Sequence, residues 1–383
     1  RVHLTDTGAL TQWADGWTGT GTTINVIDYN TAKDIELSLG EFEVTRTAYR
    51  SHWSGNKTST HKVTYNPTVK VSHGELVARI AGGDKRNIAH DVTYLTTGHR
   101  MTSAADWTAG GHFAYYWDPD DCYKYYWFGN YVRTCPSVSS DGFGDVTTCN
   151  QNIMWSPGVA KDSSVTISDV TGGNSVSKLV GHIENSTAYD VVNISLGILA
   201  TQSDYNSIIT GTSDFANMSN PNGVFVVAAG NSNAPCTAGS FANCNVIAVD
   251  LALDSTLKDQ TIVAGATGTV NGVKTKASYS NSAGITKDRY LMASGDTGYK
   301  DSDGDSVVGT SFAAPRIAGA AALLKSKFPN LTGEYVSNIL LLTADKDIND
   351  DGTDDFSGVS STFGHGELDL SSAMSPVGKM YSY

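Results

Sequence analysis

The feature that constrains this chain most is a set of short, almost wholly apolar runs, each closed by small or polar residues. Ile24 to Ile27 run into Asp28, Val191 to Ile194 into Ser195, and Val224 to Ala229 into Gly230 and Asn231. A strand with one solvated face alternates apolar and polar residues, whereas runs like these suit strands covered on both faces of a parallel sheet. Helical patterns alternate with them. One opens at His73, with Leu76, Val77, Ile80 and Ala81 at helical spacing before Gly82 and Gly83. Others lie near Val176 to Ile183, around Asp204 to Met218, and after Ser311. The expected fold is α/β, a mostly parallel central sheet with helices on both faces. Val165 to Ile167 and Val246 to Val249 read as further strands, and the polar stretch up to Val71 as a connection.

Open α/β sheets place ligands and chemistry beyond the carboxyl ends of their strands. Asp28 stands there, as a carboxylate for chemistry or as the start of a turn. Asn231 stands there too, as an amide donor aimed into a cleft or as part of an Asn-Ser-Asn turn. His73 opens its helix and does not belong to the helix's apolar face; of nine histidines it alone is followed directly by a clean amphipathic helix. Ser311 lies in Gly309-Thr310-Ser311-Phe312-Ala313-Ala314-Pro315, ahead of an apolar run through Leu324. Pro315 is expected in the first turn of that helix, where its missing N–H is harmless. A hydroxyl at a helix start sits among unpaired N–H groups and the positive end of the dipole, a good place to stabilise an oxyanion. The plainer reading is an N-cap serine.

Composition narrows the function classes. Acidic residues number 39 against 26 basic, a formal charge of −13, which argues against nucleic acid or an anionic membrane as partner and also serves solubility. No apolar run approaches the roughly 20 residues of a membrane span. The chain opens at Arg1 without a signal-like segment, so the expectation is a processed product or an excised piece. The five cysteines, Cys122, Cys135, Cys149, Cys236 and Cys244, include no Cys-x-x-Cys spacing, which favours disulfides in an oxidising compartment over a zinc or dithiol site. From about residue 84 to 155 the chain turns aromatic and holds three of those cysteines. That is too long for an ordinary connection and reads as an elaborated insertion with hairpins.

Four motifs together identify a resemblance: Val-Ile-Asp ending at Asp28, Ser-His-Gly around His73, Ala-Ala-Gly-Asn ending at Asn231, and Gly-Thr-Ser-Phe-Ala-Ala-Pro around Ser311. The chain resembles the subtilisin-like serine peptidases, or subtilases, in that chain order of Asp, His and Ser. The resemblance implies a three-layer subtilisin-like fold and a secreted or cell-surface bacterial endopeptidase acting on protein or peptide substrates. Asp28, His73 and Ser311 would be its triad and Asn231 its oxyanion donor. Ser195, Leu196 and Gly197 look like the family's substrate-binding edge, with Ala229 and Gly230 opposite. The segments Phe363 to Leu370 and Ser375 to Gly378 look similar to secreted bacterial subtilases, including autotransporter passengers, which leaves room for a propeptide or C-terminal extension in the precursor. Cys236 and Cys244 would then close a loop beside the specificity pocket, and Cys122 with Cys135 would close the aromatic hairpin. The insertion, anchored at both ends near the substrate side, would border the cleft.

Two departures stand out. The family pattern continues after the aspartate with a small residue and glycine, where this chain has Tyr29 and Asn30, and the long insertion is unusual. A sedolisin-type acid peptidase shares the Gly-Thr-Ser neighbourhood but lacks the histidine and oxyanion asparagine. A non-catalytic binding module would have lost a triad member, and a calcium-dependent adhesion domain would not need one. The acidic loop Asp347, Asn349, Asp351, Thr353, Asp355, with Gly352 sixth, places oxygens at alternate positions as a Ca2+ loop does, although Gly358 takes the place of the bidentate glutamate. A structural Ca2+ is expected there, against a plain acidic surface loop. The shorter turn Asp301 to Asp305 reads equally well as solvated.

Overall fold

Six strands of the central sheet lie side by side in the order Val273–Lys276, Thr261–Val270, Val224–Ala228, Val191–Ile194, Thr23–Asp28, Ser164–Asp169, and a seventh, Tyr290–Ser294, also pairs with Thr261–Val270. This computed structural model describes residues 2–50, 57–84, 87–98, 124–127, 130–133, 146–171, 176–201, 203–204, 206, 215 and 223–375. Every pairing in the sheet is parallel except the hairpin of Thr261–Val270 with Val273–Lys276. Asn271 and Gly272 turn that hairpin with both φ angles positive, at 52° and 82°, as a tight two-residue turn requires.

The continuous apolar runs divide residue by residue between two cores. Val191, Val224, Val226 and Ile262 face one side with the helices His73–Ala81 and Thr310–Lys327. Val192, Ile194, Phe225, Val227 and Val263 face the other, with Val176–Glu184 and Val246–Leu253. The expected α/β architecture, a mostly parallel sheet covered on both faces, is therefore present. The two helices of the first face pack closely through Gly319, where a Cβ would stand 2.5 Å from both the Ala81 carbonyl oxygen and Val159 Cβ. Among the described residues no helix is long and apolar enough to cross a membrane.

The structure departs from the sequence reading at several elements. Val246 to Val249 is the first turn of a helix, Val246–Leu253, and not a strand, because the Asn245 side chain accepts the Ile247 N–H and caps it. Val246 through Ala252 are all buried, so the helix shows no apolar face by which to be distinguished from a strand. The adjacent true strand, Thr261–Val270, is broken in the sequence by Gly265 and Gly268. Gly265 is required there, since a Cβ would fall 1.9 Å from the Tyr290 hydroxyl. The helix expected around Asp204 to Met218 lies mostly outside the described residues.

A second, wholly antiparallel sheet runs Ser306–Val308, Asp296–Asp301, Ile35–Ser38, Lys57–Val71, Asn87–Gly98, Val146–Met154, with Phe42–Arg50 pairing the first part of Lys57–Val71. The polar stretch before Val71 is thus largely strand. Its last residues alternate in period two, Pro67, Val69 and Val71 buried and Thr68 and Lys70 more open. Strands from both sides of the His73 helix build this sheet, and a cation–π box fastens it to the helix. The Arg79 guanidinium lies 4.3 Å from the Trp155 ring centroid and donates to Glu75 at 2.6 Å, while the Trp155 Nε1 hydrogen bonds to His90 Nε2 at 3.2 Å. Lys124–Trp127 and Asn130–Arg133 form a separate two-stranded ribbon.

Cys236 and Cys244 are buried and form a disulfide with Cα atoms 5.6 Å apart. Cys122 and Cys135, and hence their expected bridge, lie outside the described residues. Closing so short a loop restricts the unfolded chain by about 2–3 kcal/mol. Cys236→Ser/Cys244→Ser is therefore expected to lower the unfolding free energy by about that amount in a urea titration. An unchanged midpoint, or two free thiols in the native parent, would contradict the bridge.

Candidate active site

Asp28 is the last residue of the central strand Thr23–Asp28 and its side chain is fully buried. Both of its carboxylate oxygens lie in hydrogen-bond reach of His73 Nδ1, at 2.8 and 2.9 Å, and Oδ1 also accepts the Tyr29 N–H at 2.7 Å. Burial pushes the Asp28 carboxyl above its ordinary range, opposed by the hydrogen bond from His73. For His73 burial acts downward, but the hydrogen bond and charge of Asp28 outweigh it, and the imidazole ends above its ordinary value.

The backbone around this pair explains why the helix enters where it does. Ser72 caps the helix by accepting the Glu75 N–H at 3.1 Å and itself donates to Asn30 Oδ1 at 2.9 Å. The Gly74 N–H donates to the Tyr29 carbonyl at 2.8 Å, and a Cβ on Gly74 would stand 2.7 Å from that oxygen. Only glycine permits that approach. Tyr29 and Asn30, the residues that depart from the family pattern, thus supply the contacts that seat the histidine.

Ser311 is the second residue of the helix Thr310–Lys327, half-buried, and is followed by Phe312, whose ring centroid lies 5.4 Å from that of His73. The helix starts earlier than expected, so Pro315 lies inside it and not in its first turn. A proline cannot donate to the carbonyl four residues back, which here is that of Ser311. Ser195 fills the gap: its hydroxyl donates to the Ser311 carbonyl at 2.8 Å while accepting from Asn193 Nδ2 at 2.8 Å. Asn231 is fixed in the same way. Its Oδ1 accepts the Thr310 N–H at 2.9 Å and the Thr310 hydroxyl at 2.8 Å. A backbone N–H can only donate, so the oxygen must face Thr310 and the Nδ2 group is left turned the other way. That nitrogen lies 3.5 Å from where a Cβ on Gly309 would stand, at the mouth of the Ser311 helix.

The structure therefore brings Asp28, His73, Asn231 and Ser311 to one end of the central sheet. Ser195, Leu196 and Gly197 leave the strand Val191–Ile194 on the same side, as Ala229 and Gly230 leave Val224–Ala228. Gly230 donates its N–H to the Thr310 hydroxyl at 3.2 Å and has φ 104°, a left-handed value that suits glycine. Thr310, which holds both Asn231 and Gly230, went unread in the sequence, masked by its more conspicuous neighbour Ser311.

The acidic loop is held by its own side chains. Asp347 accepts the N–H groups of Asp351 and Gly352, Asp355 those of Ile348 and Asn349, and Asp351 that of Thr353. Among the described residues no three His, Cys, Asp or Glu side chains converge into a metal-ligand set. Lys274 pins the loop by pairing with Asp350 at 3.0 Å and with the half-buried Glu367 at 2.6 Å.

A family model described as "Subtilase family" matches residues 142–366, more than half the chain, a span that includes Asn231 and Ser311 but begins after Asp28 and His73. Subtilisin DY of Bacillus licheniformis is 33% identical over 196 residues, which is 49% of this chain and 63% of that protein. The match thus spans just under two thirds of that relative's length. The structure of the MycP3 protease from the type VII (ESX-3) secretion system aligns over 98% of this chain and 88% of its own, with 16% identity and a TM-score of 0.51. The Patellamide maturation protease PatA aligns over 57% of this chain and 76% of its own, at 21% identity and a TM-score of 0.39. With a family model covering more than half of its length, the chain belongs to the subtilase family.

Proposed function

We propose that this chain is a serine endopeptidase, secreted or at the cell surface, that hydrolyses peptide bonds of protein or peptide substrates through an acyl-enzyme. The observation that carries the reading is the bond from His73 Nδ1 to the buried Asp28 carboxylate, at 2.8 Å, with the ring of Phe312, the residue after Ser311, 5.4 Å from the imidazole. Asp28 holds the tautomer in which Nε2 carries the lone pair. Nε2 takes the proton of the Ser311 hydroxyl as Oγ attacks the substrate carbonyl, and returns it to the departing amine. Water then repeats the attack on the acyl-enzyme and frees Ser311. The oxyanion formed at each attack is met by Asn231 Nδ2 and the Ser311 N–H at the positive end of the helix. The oxidised Cys236–Cys244 pair supports an extracellular setting.

Calcium belongs to the same proposal as a structural ion at Asp347, Asn349, Asp351, Thr353 and Asp355, resting on the donor chemistry of that loop. Its side chains already accept the loop's own N–H groups, so the cation would have to use their remaining lone pairs together with peptide carbonyls.

A fluorophosphonate should label the native chain at Ser311 and leave both the heat-denatured chain and Ser311→Ala unmodified. Ser311→Ala should keep the parent's melting temperature and lose at least about a thousandfold in turnover; labelling elsewhere, or activity within tenfold, would overturn the assignment. The rate should rise with pH, since the base must be neutral. Because Asp28 raises the His73 pKa, the midpoint of that rise is expected above the ordinary imidazole value of about 6.5. A rate that is flat or falling between about pH 5 and 8 would count against His73 as base. For calcium, chelation should lower the calorimetric transition of the parent by a few degrees and leave Asp347→Ala/Asp351→Ala unmoved. A parent transition insensitive to chelator would remove the ion from the account.

A further inference from the structure

Two buried side-chain amides bridge the segments that flank this site, and both lie outside the triad and its oxyanion donor. The parallel pairing of the strands Val191–Ile194 and Val224–Ala228 has Ile194 opposite Val227 as its last pair. Beyond that pair the two chains diverge into the flanks of the cleft, where the strand pairing no longer fixes their separation. Asn245, 4% exposed, spans the gap: its Nδ2 donates to the Ala228 carbonyl at 2.7 Å and reaches the Leu196 carbonyl at 3.4 Å. Its Oδ1 is taken by the Ile247 N–H, which locks the amide's orientation. A Cβ on Gly197 would fall 2.2 Å from the Asn245 amide carbon, so glycine at 197 goes with the amide in that place.

Asn281 is fully buried and does the same for the other flank. Its Nδ2 donates to the carbonyls of Ala229 at 2.9 Å and Asn243 at 3.2 Å, and its Oδ1 accepts the N–H groups of Ser232 at 3.1 Å and Ala234 at 2.8 Å. Its own backbone N–H donates to the Gly230 carbonyl at 2.9 Å. One residue thereby holds the chain on both sides of Asn231. The Cys236–Cys244 bridge closes the loop that starts after Ala234 and ends at Asn243 and Cys244, and Asn281 holds both Ala234 and Asn243.

We propose that Asn245 and Asn281 are positioning residues of the cleft, Asn245 setting the seat of Ser195–Gly197 and Asn281 that of Gly230–Asn231. A buried amide whose bonds are removed leaves carbonyls unpaired, and each segment then relaxes toward other partners. The two segments serve different steps, so the two residues separate kinetically. Loosening Ser195–Gly197 weakens binding of an extended peptide in ground and transition state alike and raises KM. Loosening Gly230–Asn231 misplaces the oxyanion donor, which acts only in the transition state, and lowers kcat. The inference rests on the peptidase reading above.

The test compares the parent with Asn245→Asp, Asn245→Ser and Asn281→Ser, using an extended peptide, a minimal ester, fluorophosphonate labelling of Ser311 and the melting temperature. Asn245→Asp should raise KM for the extended peptide about tenfold while kcat and the minimal ester stay within about threefold. Asn281→Ser should lower kcat on both substrates about tenfold with KM little changed. Asn245→Ser, which keeps a side-chain oxygen for the Ile247 N–H but loses the amide donor, should reproduce the KM effect and decides the matter if Asn245→Asp fails to fold. Folded variants with parental kinetics, or kcat and KM changing together in step with the melting temperature, would overturn the proposal while the parent remains an active, labelled enzyme. A parent that neither takes up the phosphonate nor cleaves peptides would instead bring down the peptidase reading, and this inference with it.

Discussion

The hydrogen bond between Asp28 and His73 is the constraint on which the rest of the site depends. A carboxylate at the end of a central strand, with no access to water, is unfavourable unless a donor meets it there. The histidine must therefore arrive at one place and in one orientation. Ser72, Asn30, Gly74 and the Tyr29 carbonyl together fix the first turn of its helix so that Nδ1 falls between the two carboxylate oxygens. The strand comes from one layer and the helix from the next, so the bond also joins two layers of the fold. Arg79, stacked on Trp155, extends the same helix's anchorage into the antiparallel sheet.

A second constraint follows from one proline. Pro315 lacks the N–H that would hold the Ser311 carbonyl, and Ser195 supplies a hydroxyl in its place. The Ser311 backbone is therefore tied to the segment Ser195–Gly197, so a movement of either is felt by the other. Thr310 makes the corresponding link on the opposite flank, holding the Asn231 oxygen and the Gly230 N–H together. Ser311 is thus flanked on both sides by side chains that meet the Ser311 carbonyl and the Thr310 and Gly230 N–H groups, which the strands and the helix leave unpaired at their ends.

Much of this was legible in the sequence because it is carried by local pattern. The buried strands, the His73 helix and the four residues Asp28, His73, Asn231 and Ser311 each declare themselves within a dozen neighbours. The rest is not local. The strand Thr261–Val270 is concealed by Gly265 and Gly268, and the reason for Gly265, the Tyr290 hydroxyl, lies on a neighbouring strand. Val246–Leu253 is buried all round and so carries no periodicity, leaving its cap at Asn245 as the deciding feature. The strands Phe42–Arg50 and Lys57–Val71 read as a polar connection because Thr and Lys dominate them, although they pair over nine positions in the second sheet. Asn245 and Asn281 acquire their meaning only when the carbonyls they meet, far off in sequence, are brought to them.

The measurement that tests the account most directly is the ring titration of His73 by nitrogen-15 NMR, in the native chain and in Asp28→Asn. The buried carboxylate raises the imidazole pKa and holds the proton on Nδ1. The parent should titrate above the ordinary value of about 6.5, with its neutral form protonated at Nδ1. Asp28→Asn keeps the shape and removes the charge, so the desolvation that Asp28 had outweighed should then bring the midpoint below that of the parent. A midpoint that stays or rises in Asp28→Asn, or a neutral parent ring protonated at Nε2, would contradict it.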